Sequence, residues 1–145
     1  MNTRCWWRRA GTDIARSLNQ LAAMLKHSSL VMLFSDLLSE PEPVLAALRR
    51  LRHGGHDVIV FHVLDQAEVQ FPFEGLVELV EPETKARIEV DAEGYRRDYH
   101  EEIEKFRTMY QRECRQSRID YVPLDTGMPF DRALMEYLVN RRNWG

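Results

Sequence analysis

The chain has 145 residues, with 20 Lys and Arg against 23 Asp and Glu and a formal charge of −3. Its length suits one domain, and 44% hydrophobic with 30% charged residues is the composition of a folded globular chain. The mild acidity makes no electrostatic case for nucleic acid. Every apolar run is far shorter than the roughly 18–20 residues that cross a bilayer. Two cysteines, Cys5 and Cys114, exclude a disulfide framework and a zinc site made of thiolates alone. The expected setting is reducing and cytoplasmic, with no membrane span.

Residues 1–11 carry three arginines, two tryptophans and no acid. They read as an unstructured leader, because no apolar stretch follows Arg8-Arg9 to make a signal peptide. A single domain is expected over 12–142. Thr12 as N-cap, Asp13 in the first turn and Ile14, Leu18, Leu21 and Leu25 at helical spacing predict a helix over about 13–27. Leu30–Phe34 is an unbroken apolar run, read as a strand buried on both faces. Ser39, Pro41 and Glu42 make a capping box for a helix that buries Val44, Leu45, Leu48 and Leu51 and ends at Gly54-Gly55. Asp57–Leu64 is a second buried strand, and strand–helix–strand spacing predicts a right-handed parallel crossover.

Alternation over 76–80 and 87–90 predicts a small antiparallel hairpin lying against the main body. Residues 92–117 predict the longest helix, with Tyr95, Tyr99, Ile103, Phe106, Tyr110 and Cys114 in one core stripe. Ile119–Leu124 is a third strand, which Pro123 places at a sheet edge or at its own end. A last helix after Pro129 is expected to bury Phe130, Leu134 and Leu138. The fold class is α/β: a partial doubly wound parallel sheet flanked by helices, with a β-hairpin insertion.

Each expected parallel strand ends in an aspartate: Asp36, Asp65 and Asp125. Ligands of open α/β sheets bind beyond the carboxyl ends of the strands. These carboxylates, with Ser35, Ser39, Thr12 and Thr126, are therefore candidates for one crevice, and their hard oxygens suit Mg²⁺ or Mn²⁺. The competing account is that Asp and Ser there cap the next helix; with Ser39 as the cap, Asp36 is left without that job. His53 and His56 read as solvated turn residues, His62 as a satisfied core histidine and Cys114 as an inert core thiol. No nucleophile–base motif or phosphate-binding glycine loop occurs in the sequence.

The segments Gly11–Leu18, Leu30–Leu38 with its Phe34-Ser35-Asp36-Leu37 step, Leu48–Asp65, Phe71–Gly75 and Ile119–Thr126 together resemble the C-terminal part of the bacterial DUF58 proteins. That family is similar to von Willebrand factor A domains, and the resemblance covers about residues 10–142. In those domains a metal-ion-dependent adhesion site combines Asp-x-Ser-x-Ser after the first strand, a later threonine and an aspartate after the fourth strand. By this resemblance Thr12 matches the threonine and Asp36 the aspartate. None of the nine aspartates has a serine two residues on, so the first piece is missing.

The resemblance thus implies a von Willebrand A-like domain lacking its first strand, with an incomplete site that holds no metal or only weak Mg²⁺. It implies a non-catalytic protein–protein interaction module, with a MoxR-type AAA+ ATPase as partner. The strand at 30–34 would keep an unpaired apolar edge through which the chain self-associates. Two other readings stay open: a metal-assisted phosphoryl-transfer or phosphoesterase enzyme using Asp36, Asp65 and Asp125, and an inert gene remnant.

Overall fold

The computed structural model describes residues 13–66, 70, 72–80 and 85–142; residues 1–11, expected as a leader, and Thr12 lie outside the described residues. The chain runs α1 (Ile14–Met24), β1 (Leu30–Ser35), α2 (Pro41–His53), β2 (Asp57–Leu64), β3 (Leu76–Val80), β4 (Arg87–Asp91), α3 (Ala92–Gln116), β5 (Asp120–Asp125) and α4 (Phe130–Arg142). β1, β2 and β5 form one parallel sheet with β2 in the middle. Ser35 stands opposite His62, and Leu64 opposite Asp125. β3 and β4 pair antiparallel as a separate sheet. The α/β class expected from the sequence is present, and Pro123 sits on an edge strand.

Alternation along β2 sends Val58 and Val60 to one face and Ile59 and Phe61 to the other. On the first face α1, α2 and α3 bring Leu18, Val44, Leu48, Leu51, Phe106 and Tyr110 against Val31, Val58 and Val60. On the second, α4 packs Ala133, Leu134 and Tyr137 over Ile59, Phe61 and Leu124. β2 is therefore buried on both faces. β1 is not: Val31 is buried and Leu33 half-buried, while Leu30, Met32 and Phe34 are exposed. This corrects the two-faced burial expected of Leu30–Phe34. α4 lies over β2 and β5 and meets β1 through Phe130, whose ring is 5.8 Å from that of Phe34.

Several element ends also differ from expectation. Asp13, not Thr12, caps α1, its side chain accepting from the Arg16 N–H at 2.9 Å. α2 opens without a side-chain cap: Glu40 rather than Ser39 holds the N-cap position, and the Ser39 N–H turns back to the Leu37 carbonyl at 2.7 Å. Pro41 at the helix start presets φ and removes one orphan donor, so the helix begins without the capping box. The α3 stripe is buried from Ile103 to Cys114, whereas Tyr95 and Tyr99 are half-buried and stack on each other. In α4, Phe130 and Leu138 are exposed rather than buried. Tyr137 sets that rotation: its hydroxyl donates to Asp120 at 2.5 Å and its ring meets Phe61 edge-on. The hairpin leaves Leu76, Val80 and Ile88 exposed instead of applying them to the main body.

Candidate functional site

Parallel pairing brings the residues that follow β1 and β2 and that end β5 to one sheet edge, so Asp36, Asp65 and Asp125 share it. They do not gather there. Ser35 and Asp36 line a groove beside β1, while Asp125 lines a cleft beside β5. Among the described residues no three His, Cys, Asp or Glu side chains are grouped to hold a metal ion.

Local backbone work accounts for most of these side chains. Ser35 Oγ accepts from the Leu37 N–H and Asp36 Oδ1 from the Leu38 N–H, each at 3.0 Å. Asp125 Oδ1 accepts from the Gly127 N–H at 2.7 Å, and Thr126 Oγ1 from the Gln66 N–H at 3.0 Å. Such turns satisfy donors that a strand end leaves open. They also let Leu37 adopt a left-handed φ of 57° while its side chain is fully buried. Thr12, the other expected ligand, lies outside the described residues. A divalent ion takes about six oxygens; Asp36 and Ser35 offer two side chains already engaged by N–H groups. The described residues do not fit a complete metal centre.

His62 binds this turn to the sheet. Its Nε2 lies 3.1 Å from the Asp36 carbonyl oxygen and its Nδ1 2.6 Å from the Tyr121 hydroxyl. A carbonyl only accepts, so Nε2 carries the proton and Nδ1 accepts from Tyr121. Burial lowers the His62 pKa to about 4, with the Arg107 charge acting the same way against the opposing Asp36 contacts. Burial also raises the Tyr121 hydroxyl to about 12 and the Cys114 thiol to about 12. These groups are structural at neutral pH. His53 stays exposed, but His56 is buried, correcting the solvated role expected for it. The Gly54-Gly55 turn folds its ring back over Gly54.

The feature not foreseen as a site is a groove of about 550 Å³ between α1 and β1. Ile14, Ser17, Leu18 and Leu21 form one wall and residues 31–36 the other. Its floor is an open edge. The Asp57 N–H donates to the Ser29 carbonyl at 2.9 Å, and backbone groups alternate sides along a strand. Residues 29, 31, 33 and 35 therefore face β2, and Leu30, Met32 and Phe34 turn N–H and C=O outward. No strand pairs with them among the described residues. The sequence signal was present in the amphipathic α1 and the uncharged β1, but only their juxtaposition makes the groove.

The opposite edge is built differently. The Thr126 N–H donates to the Leu64 carbonyl at 2.9 Å, so Tyr121, Pro123 and Asp125 face outward on β5. Pro123 has no N–H to offer there. Arg118, Asp120 and Arg141 line the adjoining cleft of about 950 Å³. Proline and charge are the usual protections of a sheet edge, and β1 has neither.

The geometry defines a three-stranded parallel α/β unit with helices on both faces and, among the described residues, one edge without a partner strand. The chain belongs to the DUF58 family: the family model, described as "Protein of unknown function DUF58", matches residues 8–109. Comparisons with curated proteins and with solved structures give no match.

Proposed function

We propose that this chain is a non-catalytic protein–protein interaction module that engages its partner along β1. The asymmetry of the two sheet edges carries this reading: Pro123 and charged neighbours blunt β5, while β1 offers an uncharged edge beside an apolar groove. His62 and Cys114 are held neutral in the core, which supports a structural role for both. No helix of the described residues is long and apolar enough to cross a membrane. By the family resemblance, the sheet represents the later part of a von Willebrand A-like domain in a cytoplasmic protein. Asp36 would be a remaining piece of its adhesion site, with Mg²⁺ bound weakly or not at all, and the partner a MoxR-type AAA+ ATPase.

The test is binding of the full chain to a purified MoxR-type AAA+ ATPase from the same genome, followed by surface-immobilised titration. Saturable binding that Met32→Pro abolishes is the expected result. Absence of binding overturns the partner; binding unchanged by Met32→Pro overturns the β1 surface.

A further inference from the structure

Resting on that reading, we infer that the occupant of the α1–β1 groove is an extended segment of another polypeptide, added to β1 as a fourth strand. Its backbone pairs with the outward N–H and C=O groups of Leu30, Met32 and Phe34. Every second side chain is apolar and enters the groove, and a lysine or arginine stands at the end beside Asp36.

Three observations choose a strand over other occupants. First, the floor of the groove is a row of backbone donors and acceptors that turn away from β2. A helix satisfies its own backbone and would leave this row unmet beneath it, whereas a strand meets it group for group. Second, β1 has six residues, so the pairing spans about 20 Å at roughly 3.3 Å per residue. Side chains of an added strand alternate between faces. One set meets Ile14, Leu18 and Leu21 of α1 and must be apolar. The other set lies beside the exposed row of Leu30, Met32 and Phe34 and tolerates threonine or valine. Third, among the described residues that line the groove Asp36 is the charged side chain, and it stands at the carboxyl end with Ser35 and Ser39. A cation at the matching end of the occupant complements it.

The experiment selects phage-displayed random dodecapeptides on the full 145-residue chain and resynthesises the enriched ones. The expected peptides carry apolar residues at i, i+2 and i+4 with a basic residue at one end. Methylating alternate backbone nitrogens should weaken them tenfold or more, and their binding should protect the Leu30, Met32 and Phe34 amides from hydrogen exchange. Asp36→Asn should weaken them about fivefold at low salt. Peptides with helical spacing that fill the groove and leave those amides unprotected overturn strand addition while β1 docking stands. Protection of the three amides in the free monomer overturns both, as does failure to enrich any peptide over the Met32→Pro variant. Exchange protection along β2 in that variant verifies that it is folded.

Discussion

His62, in the central strand, donates from Nε2 to the main-chain carbonyl of Asp36, in the turn that leaves the neighbouring strand. With Tyr121 hydrogen-bonded to Nδ1, the ring links the turn after β1, through β2, to the second residue of β5. The position of Asp36, and with it one end of the groove, is therefore set by a core side chain as well as by its own loop. At 1% exposure the ring has no water to replace either partner.

Stability should consequently fall in mild acid. The folded His62 titrates near 4 against 6.5 when unfolded, so between those values the unfolded chain binds more protons. The contribution of the neutral ring is complete above about pH 6.5 and is lost as pH falls towards 4. A fall from 6.5 to about 4 corresponds to about 3 kcal/mol. Urea unfolding at pH 7 and pH 4.5 should show this loss, and His62→Leu should remove that part of the slope. The same variant should cost about 1–3 kcal/mol at pH 7, because Tyr121 and the Asp36 carbonyl lose their buried partner.

Leu37 offers a second test, because its backbone and its side chain pull in opposite directions. The side chain is fully buried, so Leu37→Ala should cost about 2–5 kcal/mol. Its φ of 57° is a conformation that glycine adopts without penalty and alanine does not. Leu37→Gly should therefore be at least as stable as Leu37→Ala, the reverse of the ordinary order. Thermal melts of the two variants decide it; a less stable glycine variant would show that the turn relaxes around alanine.

The strands were legible because Val58, Ile59, Val60 and Phe61 form an uninterrupted apolar run that a central parallel strand requires. Burial of β1 was not, because Leu30, Met32 and Phe34 are as apolar as β2, while α4 packs over β2 and β5 and reaches β1 only through Phe130. The place of α4 depends on Tyr137 reaching Asp120, a contact that helical periodicity does not encode. At the candidate site, the shared edge of Asp36, Asp65 and Asp125 followed from parallel topology. The separation of Asp36 and Asp125 into different concavities did not, since Ser35, Asp36 and Asp125 each turn to a nearby N–H. Ser39 is not the cap because the helix begins at Pro41, which puts Glu40 at the N-cap and Ser39 one residue outside it.

Divalent metal should bind weakly or not at all, with any affinity depending on Asp36. The motivation is a retained Asp36 without the Asp-x-Ser-x-Ser piece, and a carboxylate already accepting from the Leu38 N–H. Isothermal titration of Mg²⁺ into the chain and into Asp36→Ala gives the comparison. Sub-micromolar affinity unaffected by Asp36→Ala would contradict it and direct attention to other oxygens on the carboxyl edge.

Without its occupant, the β1 edge should draw copies of the chain together. Leu30, Met32 and Phe34 turn backbone donors and acceptors outward, and their side chains are large, apolar and about half exposed. No proline or charge interrupts Leu30–Phe34, and an edge of that kind is a template for another strand. Sedimentation equilibrium should show a mass that rises with concentration. Met32→Pro should hold the chain monomeric, because it removes an outward N–H and leaves the β1–β2 ladder its donors at 31, 33 and 35. Met32→Lys places a charge on the exposed face rather than on the edge itself, so it should lower association less. Hydrogen exchange separates this from general stickiness: amides at 30, 32 and 34 should exchange fast in dilute monomer and slow as the mass rises. Strong protection of those three amides in a verified monomer would mean that the edge is covered within one chain, and the association would have to arise elsewhere.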